Sequence, residues 1–299
     1  MERFKNIELF DTANNGNYLF LHNSSFVSSN VNLNSLNITD DIELTVYHLF
    51  DKDCNVTYTI NQGVNAKITE VNHYQGNISI SKEIIALENS SLTLVTIDKS
   101  NTNNDNKICV NVKTEVYNNA YINNMKLAIY KDSVKYLEDL LLSGKRAKSE
   151  SLNVIINNCH KNQCFDLKAS HTGIETESKM TNFGICKGKS VLDINTNGIV
   201  ISGAKKSNIN QKSKGILLDS DATISANPWL QIDDFDCLAS HGAGIGAIDE
   251  EELYYLMSRG LTELESSTLI INGFINPVYE AITNLELQEK LKNINILKM

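Results

Sequence analysis

Ser91-Leu92-Thr93-Leu94-Val95-Thr96-Ile97 is a short β-branched run in which apolar and hydroxyl side chains alternate, and alternation with a period of two indicates a strand. Runs of the same kind flank it: Ile42-Glu43-Leu44-Thr45-Val46, Asn77-Ile78-Ser79-Ile80, Ile108-Cys109-Val110-Asn111-Val112, Leu152-Asn153-Val154-Ile155-Ile156 and Gly198-Ile199-Val200-Ile201. From about residue 38 to about residue 232, each run ends in a polar turn rich in Asn, Gly, Asp or Ser. Many short strands with Asn-bearing corners, and no long helical crossovers between them, favour a solenoid of stacked β rungs, each covering the apolar face of the next. A large antiparallel sandwich is the alternative. No fixed repeat period emerges by inspection. Between Met125 and Lys148, Val134, Leu137 and Leu141 stand at helical spacing, with Asp132 or Ser133 as N-cap and Gly144 as stop, which predicts a short helix.

The pattern changes after His241. Gly242-Ala-Gly-Ile-Gly246 reads as a flexible tract, and Asp249 before Glu250-Glu251-Glu252 combines an N-cap with an acidic first turn. Leu253, Leu256 and Met257 continue that helix to Gly260; a second is expected from Glu263 or Ser266 to Phe274, and a last one from about Pro277. The expected layout is an N-terminal β-rich lead-in at 1–37, a β core at 38–246 and a helical unit at 247–299.

Across 299 residues, 27 Lys and Arg against 36 Asp and Glu give a net charge of −9, which argues against a general nucleic-acid groove or an anionic-membrane binder. The start, MERFKNIELF, lacks a leader pattern, and no long apolar run follows, so a cytoplasmic chain is expected. Its six cysteines (54, 109, 159, 164, 186 and 237) are then expected as free thiols.

Candidate chemistry is sparse. Cys159-His160-Lys-Asn-Gln-Cys164 has thiols at metal-ligand spacing, but needs Cys186 or His171 to complete a site; an ordinary turn is the simpler expectation. The glycine tract at 242–246 lacks the βαβ setting of a dinucleotide fold, and no phosphate-loop motif is present, so ATP dependence would have to come from another chain. Ser240-His241 near Asp233 and Asp234 suggests a hydrolase, yet adjacent strand residues face opposite ways. Asp233, Asp234 and Asp236 would suit a solenoid carbohydrate enzyme as paired acids or calcium ligands. His241, between an acidic strand end and the glycine tract, is a candidate for metal handling or an interface.

The stretch from Gly215-Ile-Leu-Leu through Pro228-Trp-Leu-Gln-Ile232, then Asp-Asp-Phe-Asp-Cys237-Leu-Ala-Ser-His241-Gly-Ala and Asp249-Glu-Glu-Glu-Leu-Tyr-Tyr-Leu-Met-Ser-Arg-Gly260, resembles the C-terminal core of the SufB/SufD family of iron–sulfur cluster assembly proteins. Gly273-Phe274 extends the match; Ala247 and Met257 depart from the family pattern, and the region before the β structure is shorter than in many members. His241-Gly242-Ala243 in place of His-Glu-Ala, and Ser213 where SufB-like chains bear a cysteine, place the resemblance on the SufD side. The resemblance implies a right-handed parallel β-helix with a small C-terminal helical domain, and a non-catalytic scaffold role. It implies a SufB-like partner meeting the β-helix and a SufC-like ABC ATPase, which binds the ATP, on the helical domain; a homodimer in isolation is also expected. It further implies that no cofactor is held stably by this chain alone, with a transient iron–sulfur cluster at the partner interface beside His241, a transient metal contact. Tyr254, Tyr255, Arg259 and Phe274 become candidate ATPase contacts. A solenoid carbohydrate enzyme and a purely structural solenoid remain the alternatives.

Overall fold

The computed structural model describes residues 4, 7, 9–14, 16–31, 36–100 and 106–293. A short 3-10 turn (Phe10–Asn14) leads into eighteen strands: β1 (Tyr18–His22), β2 (Ser25–Ser29), β3 (Asn37–Ile38), β4 (Ile42–Phe50), β5 (Cys54–Ile60), β6 (Asn65–Tyr74), β7 (Ile78–Ala86), β8 (Ser91–Ser100), β9 (Lys107–Val116), β10 (Tyr121–Ile129), β11 (Ser133–Leu142), β12 (Lys148–Asn157), β13 (Asn162–His171), β14 (Glu177–Cys186), β15 (Val191–Val200), β16 (Ser207–Leu217), β17 (Thr223–Ile232) and β18 (Cys237–Ala247). From β3 onward, consecutive strands alternate between two sheets. One has the order β18-β16-β14-β12-β10-β8-β6-β4-β1-β2 and the other β17-β15-β13-β11-β9-β7-β5-β3. Pairing is parallel except between β1 and β2. The result is a parallel β-solenoid of about eight turns.

The corners explain why asparagine recurs and why no repeat length shows. Gly63, Asn89, Asn119, Arg146, Glu175 and Lys206 all have positive φ and stand at equivalent places, just before β6, β8, β10, β12, β14 and β16. Asparagine tolerates the left-handed region better than most residues. These corners lie 26, 30, 27, 29 and 31 residues apart, so strand register is kept while coil length varies. Backbone bonds join them in a second ladder: Gly63 N–H to Glu88 O, Asn89 N–H to Asn118 O, Asn119 N–H to Lys145 O, Arg146 N–H to Ile174 O, and Glu175 N–H to Lys205 O, each 2.8–3.1 Å. Close stacking fixes Gly144 at one corner, where a Cβ would lie 2.0 Å from Asn118 N.

Two expectations about the β region are corrected. Residues 133–142 form β11 rather than a helix: the run also alternates with period two, burying Val134, Tyr136, Leu140 and Leu142, and β9 and β13 hydrogen-bond it on both sides. A segment with both periodicities takes the one its neighbours can pair with. The glycine tract at 242–246 is not a loop, but part of β18.

The C-terminal helices are α1 (Glu250–Ser258), α2 (Glu263–Glu280) and α3 (Leu285–Asn293). Asp249 caps α1, accepting from the backbone N–H groups of Glu251 and Glu252, and Gly260 follows its end at φ +98°. Thr262 and Glu265 form a capping box for α2. Pro277 lies inside α2 instead of opening the last helix. The carbonyl that its ring crowds belongs to the residue four earlier, Gly273, and apolar docking on both sides of the defect holds the helix together. Ile271, Ile275, Val278 and Tyr279 are buried with Leu127, Ile129, Val154, Ile156 and Ile185 on the outer face of the large sheet.

The solenoid interior holds a second apolar cluster and, within it, charge. Glu70 accepts from Lys82 Nζ (2.8 Å), Tyr58 Oη (2.6 Å) and Thr96 Oγ1 (3.3 Å), and His48 Nε2 lies 3.1 Å from Tyr58 Oη. Burial alone would raise the Glu70 carboxyl; Lys82, His48 and the hydrogen bonds from Lys82 and Tyr58 bring it down to about 2. Burial drives His48 down to about 3, against the attraction of Glu70, and drives His171 down to about 4. Lys82→Met, which strands the Glu70 charge, is expected to destabilise by about 3–5 kcal/mol, and Glu70→Gln in the same chain to restore much of that; urea titration checks both. The buried groups also predict acid lability. All three have folded values below their unfolded ones, so the unfolded chain takes up protons first. Stability is therefore expected to be complete above about pH 6.5 and to fall, through the histidines and then Glu70, as the pH drops toward 3, seen as a steadily lower urea midpoint.

Candidate functional site

The two ends of the solenoid differ. At the N-terminal end the large sheet finishes in the five-residue antiparallel β2 and the small sheet in the two-residue β3, short edges of the kind that resist further pairing. The C-terminal end finishes in full-length strands, β17 and β18. Beyond Cys237, every residue of β18 is exposed. Exposed apolar groups gather there: Phe235 at 92%, Leu238 at 71%, Trp229 at 68% and Ile245 at 44%. An eleven-residue strand with one free edge and glycines at 242, 244 and 246 is an open pairing template.

His241 sits in the middle of this edge. It pairs in register with Gln211, and Ala243 and Ile245 pair with Ser213 and Gly215. Gln211 and Ser213 are buried, and Ile245 approaches the inner face of Gly215 beside Ile224, so His241, of the same parity, belongs to the row that faces the solenoid interior. Because β18 carries no further coil, this row opens to solvent. A cleft of about 740 Å³ forms here, lined by residues 210–215, 240–247 and Asp249.

The other candidate groups are dispersed. Ser240 Oγ accepts from Asn210 Nδ2 at 2.8 Å on the opposite face from His241. Asp234 accepts from the backbone N–H groups of Asp236 and Gly203, which hold its carboxyl below the usual range, and Asp233 accepts from Gln231. These acids are therefore engaged at the corner between β17 and β18. Cys159 Sγ donates to Tyr130 O (3.4 Å), His160 Nδ1 accepts from Lys189 N–H (3.0 Å), and Cys164 lies on the outer face of β13 against Lys135. Cys186 is buried, and His171 is buried between Thr176 and Ser178. Among the described residues, no three His, Cys, Asp or Glu side chains are grouped to hold a metal ion. Among the described residues, no helix is long and apolar enough to cross a membrane.

The helical candidates divide. Tyr254 is 75% exposed and Tyr255 56%, with Arg259 stacked on the Tyr255 ring at 5.3 Å, and α1 contains no buried residue. Phe274 is instead half-buried on the chain's own sheet, 4.6 Å from the Phe183 ring and beneath Lys214. Trp229, Phe235 and Leu238 were not singled out as site residues in the sequence, since an apolar residue in an alternating strand ordinarily faces the core. In the structure Trp229 and Leu238 stand on outward rows, in register with Asn197 and the exposed Asn208, and Phe235 lies in the corner between β17 and β18.

The model of the SUF system FeS cluster assembly SufBD core domain matches residues 51–274, covering the solenoid from β5 onward and most of α2. The chain belongs to the SufBD family. It is 27% identical over 281 residues to the iron–sulfur cluster assembly protein SufD of Bacillus subtilis, an alignment that covers 89% of this chain and 60% of that protein. A SufBD family protein of Pyrococcus horikoshii is 36% identical over 115 residues, 37% of this chain and 26% of the relative. One from Mycobacterium bovis is 28% identical over 137 residues, 46% of this chain and 16% of the relative. The chain thus spans about 60% of the length of the Bacillus protein and smaller shares of the others. The family description and the names of these relatives all refer to iron–sulfur cluster assembly.

Proposed function

We propose that this chain is a SufD-like, non-catalytic subunit of a cytoplasmic SUF scaffold. Its free β17–β18 end pairs with the solenoid of a SufB-like partner, and α1 docks a SufC-like ABC ATPase that supplies the ATP. The observation that carries this reading is the uncovered β18 edge bearing His241 on its inward row. Pairing there would satisfy the unpaired backbone groups and cover Trp229, Phe235 and Leu238. In isolation the same surface favours a homodimer.

The helix α1 supports the second half. None of its residues is fully buried in its own chain, while it and its C-cap present Tyr254, Tyr255 and Arg259, residue types that dominate binding energy at interfaces. Phe274 then acts from behind, anchoring α2 to the sheet so that motion of a docked ATPase is transmitted to the solenoid. A nascent iron–sulfur cluster, the cargo of assembly, would form at the paired ends within reach of the His241 imidazole.

Coexpression with SufB-like and SufC-like partners under low oxygen is expected to yield one stable species containing all three. A monomer that stays apart while the partners assemble without it would contradict the scaffold role. Within the complex, His241→Ala is expected to lower cluster yield while leaving stoichiometry and ATPase binding intact; equal cluster yield from intact mutant complexes would exclude a part for His241.

A further inference from the structure

On the outer face of the small sheet, one row places a lysine between two cysteines: Cys109 on β9, Lys135 on β11 and Cys164 on β13 stand in register. Lys135 Nζ donates to Cys164 Sγ at 3.2 Å and also to the carboxylate of Asp166, two residues along the same strand from Cys164. Asn195 Nδ2, on β15, donates to Asp166 Oδ1 at 2.7 Å and so fixes that carboxylate beside the pair. Cys164 Sγ itself donates to Asp166 Oδ1 at 3.5 Å. The cluster is open to small solutes, since the Lys135 side chain is 48% exposed and that of Asp166 36%.

Partial burial pushes the Cys164 thiol up, an effect that Lys135 opposes, and the bond to Asp166 holds the Lys135 ammonium above its usual value. The pair therefore rests as thiol and ammonium, slow to react while conditions stay reducing. Peroxide changes its chemistry. With Asp166 placed to take the thiol proton, the sulfur accepts one oxygen from hydrogen peroxide, releasing water and leaving a sulfenic acid. Such a group condenses with a second thiol where one is in reach. Cys109 is two strands away, about 10 Å at the usual strand spacing, which is too far for a disulfide. The lysine nitrogen is much nearer: 3.2 Å falls within the range of about 3–3.5 Å from which reacting atoms join.

We propose that Lys135 and Cys164 form a redox staple: under hydrogen peroxide their side chains close a sulfenamide, a covalent S–N bond between β11 and β13. Asp166 takes a proton from the ammonium, the amine lone pair attacks the sulfenic sulfur, the S–O bond breaks, and the hydroxyl leaves as water. In total, one thiol, one ammonium and one hydrogen peroxide give one sulfenamide, two waters and one proton. Sulfur is oxidised by two electrons, which reduce the peroxide. Thiol reductants reverse the bond. The staple lies on the outer face of the small sheet rather than at the β18 edge and needs no partner chain, so it stands or fails separately from the scaffold reading.

The test treats the isolated full chain, first reduced, with hydrogen peroxide, caps the remaining thiols, digests with trypsin and reads the peptides by mass spectrometry without reductant. The expected product is a linked pair of peptides carrying Lys135 and Cys164, lighter than their sum by two hydrogens, with cleavage after Lys135 lost. Dithiothreitol should restore both peptides. Cys109→Ser should keep the product. Lys135→Arg, which keeps a cation for Asp166 but has no amine, should lose it, and dimedone, a sulfenic-acid reagent, should then trap Cys164 to a greater extent than in the wild-type chain. A disulfide at Cys164, a linked product that retains oxygen, normal cleavage after Lys135, or equal dimedone trapping in the wild-type and Lys135→Arg chains would each overturn the staple.

Discussion

Every coil of this molecule depends on the parallel backbone ladder to the coil before it and the coil after it. No strand from β4 to β16 has both its edges satisfied within its own coil, because consecutive strands lie in different sheets. The ladder forces side chains of equal parity into continuous rows, so each coil's inner face is complete only when the next is laid upon it. Apolar rows cost nothing by this rule. Polar rows must find partners along the stack, as Asn153, Asn182 and Ser213 do, or across it, as Glu70 and Lys82 do.

The same rule makes the last coil functional ground. A solenoid has two ends, and here one is blunted by the short strands β2 and β3 while the other stops at full length. Rows that are sealed elsewhere emerge at β18, bringing His241, Gln211 and Ser213 to one opening. Helices α2 and α3 cover the outer face of the large sheet, leaving α1 beyond it as a projecting handle. The geometry thus separates the open β18 edge from the exposed face of α1, with α2 and Phe274 packed on the sheet between them.

Strands, corners and the terminal switch to helices were legible in the sequence because they rest on local chemistry: period-two alternation, asparagine at left-handed corners, and Asp249 as a cap. The repeat was not, since coils of 26 to 31 residues keep register through hydrogen bonds rather than through a constant length. Residues 133–142 deceived because Val134, Leu137 and Leu141 satisfy a helical spacing, while Val134, Tyr136, Leu140 and Leu142 satisfy a strand; only the neighbouring strands decide. The interior row escaped notice for a related reason. Asn153, Asn182 and Ser213 are about thirty residues apart and meet only once the coils are stacked. His241 stood out by its place between the acidic strand end and the glycine tract, family resemblance gave it a role, and its place on the inward row came from register.

The central claim is that β18 is an unfinished edge completed by another solenoid. Amide hydrogen exchange across residues 237–247, measured on the chain alone in dilute monomeric form and again in complex with a SufB-like partner, tests it most directly. The account predicts fast exchange at alternate amides of β18 in the monomer, while β12 and β14 stay protected, and strong protection of those β18 amides in the complex. Equal protection of β18 in both states, or an edge that stays fast in a stable complex, would contradict it.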